Sequence, residues 1–158
     1  MKTETINISK QAVYEEVAKT TAYLGAKRIS DEQDTYSAFS TTDEDRLMLE
    51  EYWVEACNAA TQTMKRYVVE VSEQTIGDGT EDDTYTATLQ LPDTWPSTLH
   101  NAVKSELFAF FAALITAKWL DLAGSDKSDT YGKLADAKQS KLSMMLYHRD
   151  KPQYSKHK

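Results

Sequence analysis

The sequence predicts a mainly α protein, a small bundle of about four helices with an inserted β-hairpin arm. Three observations lead there. Two long stretches, before Tyr67 and after Pro96, repeat apolar residues at helical spacing. Between them, Tyr67 to Leu91 switches to a period of two. Only five glycines and three prolines interrupt the 158 residues, too few for a loop-rich chain. Residues 1–150 read as one helical domain carrying a hairpin at 67–91, and 151–158 as a basic, flexible tail.

Ile6 and Ile8 alternate with polar residues, and Ser9 then offers an N-cap. Val13, Val17, Thr21 and Leu24 follow a helical period to about Leu24, where Gly25 supplies a stop. Residues 26–41 are polar and read as a connector tucking Tyr36 and Phe39 against the core. The second helix opens sharply. Thr41 and Glu44 have the spacing of a capping box, and Asp43, Glu44 and Asp45 put negative charge at the positive end of the dipole. Leu49, Trp53, Ala56, Ala60 and Met64 form its apolar face, with Lys65 and Arg66 at its C-terminal end.

Tyr67, Val69 and Val71 then alternate with Val68, Glu70 and Ser72, and Tyr85, Ala87, Leu89 and Leu91 with threonines and Gln90. Ile76 to Gly79 and the acids beyond form the turn between these strands. Pro92 and Pro96 end the second strand and open a long helix from Ser97 to Leu122, with Gly124 as its stop. The middle of that helix, LFAFFAALITA, is apolar on nearly every side, so it belongs at the centre, covered by other helices or by neighbouring subunits. A last helix, from about Ser128 to Tyr147, carries Tyr131, Leu134, Ala135, Leu142, Met145 and Leu146 on one stripe and lysines on the other.

Composition narrows the function. The hydrophobic fraction of 41% and charged fraction of 27% are those of an ordinary globular domain. The single cysteine, Cys57, leaves no internal disulfide to form. The N-terminus is polar and lacks the apolar stretch of a signal peptide. Leu107–Ala117 is shorter than the roughly 18 apolar residues of a membrane span. Together these predict a reduced, acidic, soluble single domain. Its charge is uneven: seven acids and no base lie between Tyr67 and Thr94, and the whole chain sums to −7.

No constellation points to chemistry. His100, His148 and His157 make no H-x-x-x-H spacing, and Cys57 stands alone among alanines, so neither a local metal site nor an activated thiol is predicted. The segment from Asp78 to Asp83 lacks the ligand order of a calcium loop. Glu50, Glu51 and Glu55 share a helix surface and read as solvated or subunit-facing. Gly77 and Gly79 sit in a strand turn and not before a helix, so they cradle no phosphate. Trp53, Trp95 and Trp119 read as core or subunit anchors. Neither catalytic residue nor cofactor is expected. The candidate partner contacts are the acids Asp78, Glu81, Asp82 and Asp83 and the bases Arg149 and Lys151, with the basic tail of one copy meeting the acidic hairpin of another.

The order of parts resembles the head–tail connector, or adaptor, proteins of tailed bacteriophages. The resemblance rests on the opening Ile-x-Ile-Ser before a helix, the acid-capped helix DEDRLMLEEYWVEACNAA, the proline-led helix LPDTWPSTLHNAVKSELFAFFAALITAKW after a β segment, and the ending Leu146-Tyr147-His148-Arg149. It spans most of residues 5–150. The resemblance implies a structural virion protein, a homo-oligomer of about twelve copies forming a ring beneath the portal. Portal protein above and tail or further connector proteins below would be its partners, and DNA would pass through without specific binding. It would reside at the head–tail junction of the virion, and in the host cytoplasm during assembly. The alternative is a non-enzymatic helical binding or regulatory module that engages a basic partner.

Overall fold

The computed structural model describes residues 1–27, 45–74 and 83–151. Strand β1 (Lys2–Ser9) runs directly into helix α1 (Lys10–Lys27). Helix α2 (Arg46–Met64), strands β2 (Val68–Val71) and β3 (Thr84–Leu91), a 3-10 turn at Ser97–Leu99, and helices α3 (His100–Leu122) and α4 (Ser128–Tyr147) follow. Among the described residues the molecule is mainly α, with four helices and a small antiparallel sheet, as the periodicities predict.

The sheet has the order β1-β3-β2. β3 pairs with β2 as a hairpin and, on its other edge, with all of β1, from Lys2 opposite Leu91 to Ser9 opposite Thr84. The second strand of the expected arm is therefore the middle strand of a three-stranded sheet. Its alternation is what a sheet with one face on the core requires: Tyr85, Ala87, Leu89 and Leu91 are fully buried, and the threonines between them face outward. β2 departs from the expected pattern. Its register shifts between Val68 and Glu70, a bulge that turns Val69 outward to 58% exposure instead of aligning it with Tyr67 and Val71.

α3 is the central helix and packs against α1, α2, α4 and β1. Val103, Leu107, Phe110, Phe111, Ile115 and Leu120 are buried along it, so the chain's own elements cover much of its apolar middle. Lys138 and Lys141 of α4 reach Glu106 of α3 at 3.4 and 3.1 Å, tying these two helices at the surface. The expected apolar face of α2 is buried from Leu49 to Met64, and the three tryptophans are all in the core.

Several expected boundaries change. Ser9 does cap α1, its Oγ accepting from the Ala12 N–H at 3.3 Å. The helix, however, continues through Gly25 to Lys27, because a glycine inside a helix costs only about 1 kcal/mol and stops it only where the chain turns left-handed. Gly124 does make that turn, with φ of 75°. The helix expected from Ser97 begins with a 3-10 turn and becomes α-helical at His100. Leu134 leaves the buried stripe of α4 and is 42% exposed, lining an open groove with Phe108, Ala112 and Tyr131. No described helix is long and apolar enough to cross a membrane. The Thr41–Glu44 capping box, Tyr36, Phe39, the turn at Ile76–Gly79 and the tail from Pro152 to Lys158 lie outside the described residues.

Candidate functional site

Charge gathers at two ends of the bundle, and α2 runs from one to the other. The first end is organised by a buried cation. Lys10 is the first residue of α1, and its N–H continues the strand ladder to the Asp83 carbonyl at 3.1 Å. Its side chain is 1% exposed and its Nζ stands 2.6 Å from the carboxylate of Glu50, itself 2% exposed. Asp83 adds a second carboxylate oxygen at 3.5 Å, and the Tyr14 hydroxyl donates to Glu50 at 3.1 Å. Burial, then the charge of Glu50 and this hydrogen bond, push the Tyr14 hydroxyl far above its ordinary pKa.

This overturns the reading of Glu50 as a solvated neighbour of Glu51 and Glu55. Those two are exposed, whereas Glu50 lies three residues before the buried Trp53 and faces inward with it. A carboxylate there must find a cation, and Lys10 supplies one from a strand–helix junction 40 residues away. Beside this pair, the Trp53 Nε1–H donates to the Gln74 side chain at 2.9 Å. Gln74 and Asp83 are thus both held by the body of the protein, and they flank the acidic segment 75–82.

The far end of α2 meets the end of α4. Arg66 donates to the Tyr147 hydroxyl, and its guanidinium carbon stands 5.2 Å from that ring's centre. Arg149 donates to the carbonyls of Leu146 and His148, both at 2.7 Å, and lies 5.9 Å from the Tyr67 ring. The two tyrosine rings meet edge to face at 6.0 Å. Four side chains from two distant stretches of sequence therefore form one patch of alternating guanidinium and phenol. Tyr147 is 55% exposed, and Lys65, His148 and Lys151 stand exposed around it. Among the described residues neither Arg66 nor Arg149 meets a carboxylate within ion-pair distance. The Asp150 N–H to the Thr94 carbonyl, at 2.9 Å, and the Trp95 Nε1–H to the Met145 carbonyl, at 3.0 Å, pin this end of the chain to the fold.

The candidate contact residues are thus distributed unequally. Arg149 belongs to the folded patch and Lys151 stands beside it. Asp83, 36% exposed, is partly engaged by Lys10. Asp78, Glu81 and Asp82 lie outside the described residues. Sequence reasoning passed over Arg66, Tyr67 and Tyr147, for which a basic residue at one helix end and an aromatic at another were the only signals. His100 sits at the start of α3, with Nδ1 2.8 Å from Glu4. Cys57 is buried, and its thiol pKa is raised by that burial. Among the described residues no group of three or more His, Cys, Asp or Glu side chains could hold a metal ion. No protein-family model, curated protein or solved structure matches the chain.

Proposed function

We propose that this protein is a structural subunit of an oligomeric ring, of the head–tail connector kind, through which DNA passes beneath a viral portal. The observation that carries this reading is the Arg66–Tyr147–Tyr67–Arg149 patch at one end of α2, in a chain whose sequence gathers seven acids and no base between Tyr67 and Thr94. A subunit that repeats around a ring must present two different, complementary surfaces to its neighbours, because a head-to-tail contact closes a cycle where a self-complementary one closes a pair. The acidic balance of −7 adds support, since a protein surrounding DNA must let a polyanion slide without the phosphate grip of a basic wall. The order of parts, with an acid-led helix, a β segment and a proline-led central helix, is the resemblance that names the kind of ring.

The test is removal of the gene from the particle that encodes it, followed by electron microscopy of the products. Heads that package DNA but lose it or gain no tail are the expected outcome. Intact infectious particles would reject the reading.

A further inference from the structure

The Arg66–Tyr147–Tyr67–Arg149 patch lies at the far end of α2, and Gln74 and Asp83, the residues that flank the acidic segment 75–82, are held near its start. This placement specifies a contact. We propose that the patch is a carboxylate-binding surface whose occupant is the acidic segment 75–82 of a second copy of the chain. This inference rests on the ring reading above and assigns the surface through which neighbouring copies meet.

The patch is built to receive carboxylates. A guanidinium offers five N–H donors in a planar fork, and a carboxylate fits that fork with two oxygens at once. Here each guanidinium lies against a tyrosine ring, Arg66 against Tyr147 and Arg149 against Tyr67. The rings fix the side chains in advance, so less rotamer freedom is lost when a partner arrives. Arg66 spends a hydrogen bond on a phenol and Arg149 spends its own on two carbonyls and a phenol. Neither meets an acid among the described residues, so the positive charge is left for a partner.

The chain supplies that partner's charge itself. Segment 28–44 holds one base, Arg28, against five acids, and segment 75–82 holds Asp78, Glu81 and Asp82 without a base. Together they account for −7, the formal charge of the whole chain. Segment 75–82 carries no base at all, and its flanks are held beside the start of α2, Gln74 on Trp53 and Asp83 on Lys10.

A chain's own segment cannot reach its own patch. Glu50 and Trp53 mark the level of the flanks on α2, and Arg66 follows its far end. At 1.5 Å per helical residue, roughly 20–24 Å separate these levels. The nine backbone steps from Gln74 to Asp83, tethered at both ends, extend at most about 16 Å from their base, short of that separation. The acids of one copy therefore meet the arginines of another, in a head-to-tail contact that repeats.

The experiment is sedimentation velocity on the purified full chain at salt concentrations below and above roughly 0.15 M, with two charge-reversed variants. One is Arg66→Glu/Arg149→Glu, the other Asp78→Lys/Glu81→Lys/Asp82→Lys. Arg66 is exposed and Arg149 half-buried, and circular dichroism and thermal melting verify that each variant folds. The wild type is expected to self-associate at low salt and to dissociate at high salt. Each variant alone should associate at least roughly tenfold more weakly. An equimolar mixture of the two should recover assembly, since each reversed surface then finds its opposite. A wild type that stays monomeric at low salt overturns the proposal. So does assembly that persists in either variant, or a mixture that fails to recover. These outcomes leave the ring reading to the particle experiment, so the two stand or fall separately. A fluorescein-labelled oligonucleotide that binds the wild type but not the arginine variant, with no recovery in the mixture, would assign the patch to phosphate instead.

Discussion

Lys10 and Glu50 show how one residue pair can hold two parts of a fold together. Each is almost wholly removed from water; without Lys10 the Glu50 charge is uncompensated, and without Glu50 Lys10 keeps only the Asp83 carboxylate at 3.5 Å. Removing one partner of a buried pair costs about 3–5 kcal/mol, whereas replacing both with apolar side chains of similar length is often near neutral. Lys10→Met and Glu50→Met should each lower unfolding stability by that amount in urea titration, and the double variant should recover most of the loss. Single variants costing less than about 1 kcal/mol would show that water already solvates the pair. The inward position of Glu50 was legible in principle, since a helical wheel puts it beside Trp53. Its partner was not: nothing local in a sequence marks a lysine at a strand–helix junction as the mate of a glutamate on another helix.

At the scale of the element, the helices were legible and their ends less so. α2, α3 and α4 stand where the 3.6-residue period placed them, because a buried stripe is a pattern the sequence must display. Glycine stops were read correctly at Gly124 and wrongly at Gly25, since a glycine permits a left-handed turn without compelling one. At Gly124 the turn is a complete Schellman motif: the Ser125 N–H reaches the Leu120 carbonyl at 2.8 Å, and the Gly124 N–H reaches Asp121 at 3.2 Å. Gly132, by contrast, lies inside α4. An added Cβ meets nothing within 4 Å at either position, so backbone conformation alone decides the sign of a substitution. Gly124→Ala should destabilise by about 1–2 kcal/mol, and Gly132→Ala should stabilise by roughly 0.5–1 kcal/mol. Thermal melts of the two variants moving in the same direction would contradict this account. The pairing of β1 with β3 escaped the sequence for a different reason. Only Ile6 and Ile8 signal a strand, and its partner lies some 80 residues on, where no local period records it.

Across the whole molecule, the charge asymmetry was visible in the sequence but its geometry was not. An acidic stretch and a basic C-terminus suggested a contact between a hairpin and a tail. Beside the tail the fold builds a patch, because Arg149 is held against Tyr67 and Arg66 against Tyr147. The distinction can be measured by truncation. A chain ending at Lys151 keeps both arginines and the Asp150 N–H to Thr94 that closes this end of the bundle. Its stability should stay within about 0.5 kcal/mol of the full chain, and its low-salt self-association should be kept. A chain ending at His148 loses Arg149 and that closing hydrogen bond, and its self-association should fall at least roughly tenfold even where its helix content is unchanged. Equal loss in both truncations would place the contact in residues 152–158 and return it to the tail. Loss only in the shorter chain ties assembly to the arginine held over Tyr67, a side chain oriented by the fold and not by its position near the end of the sequence.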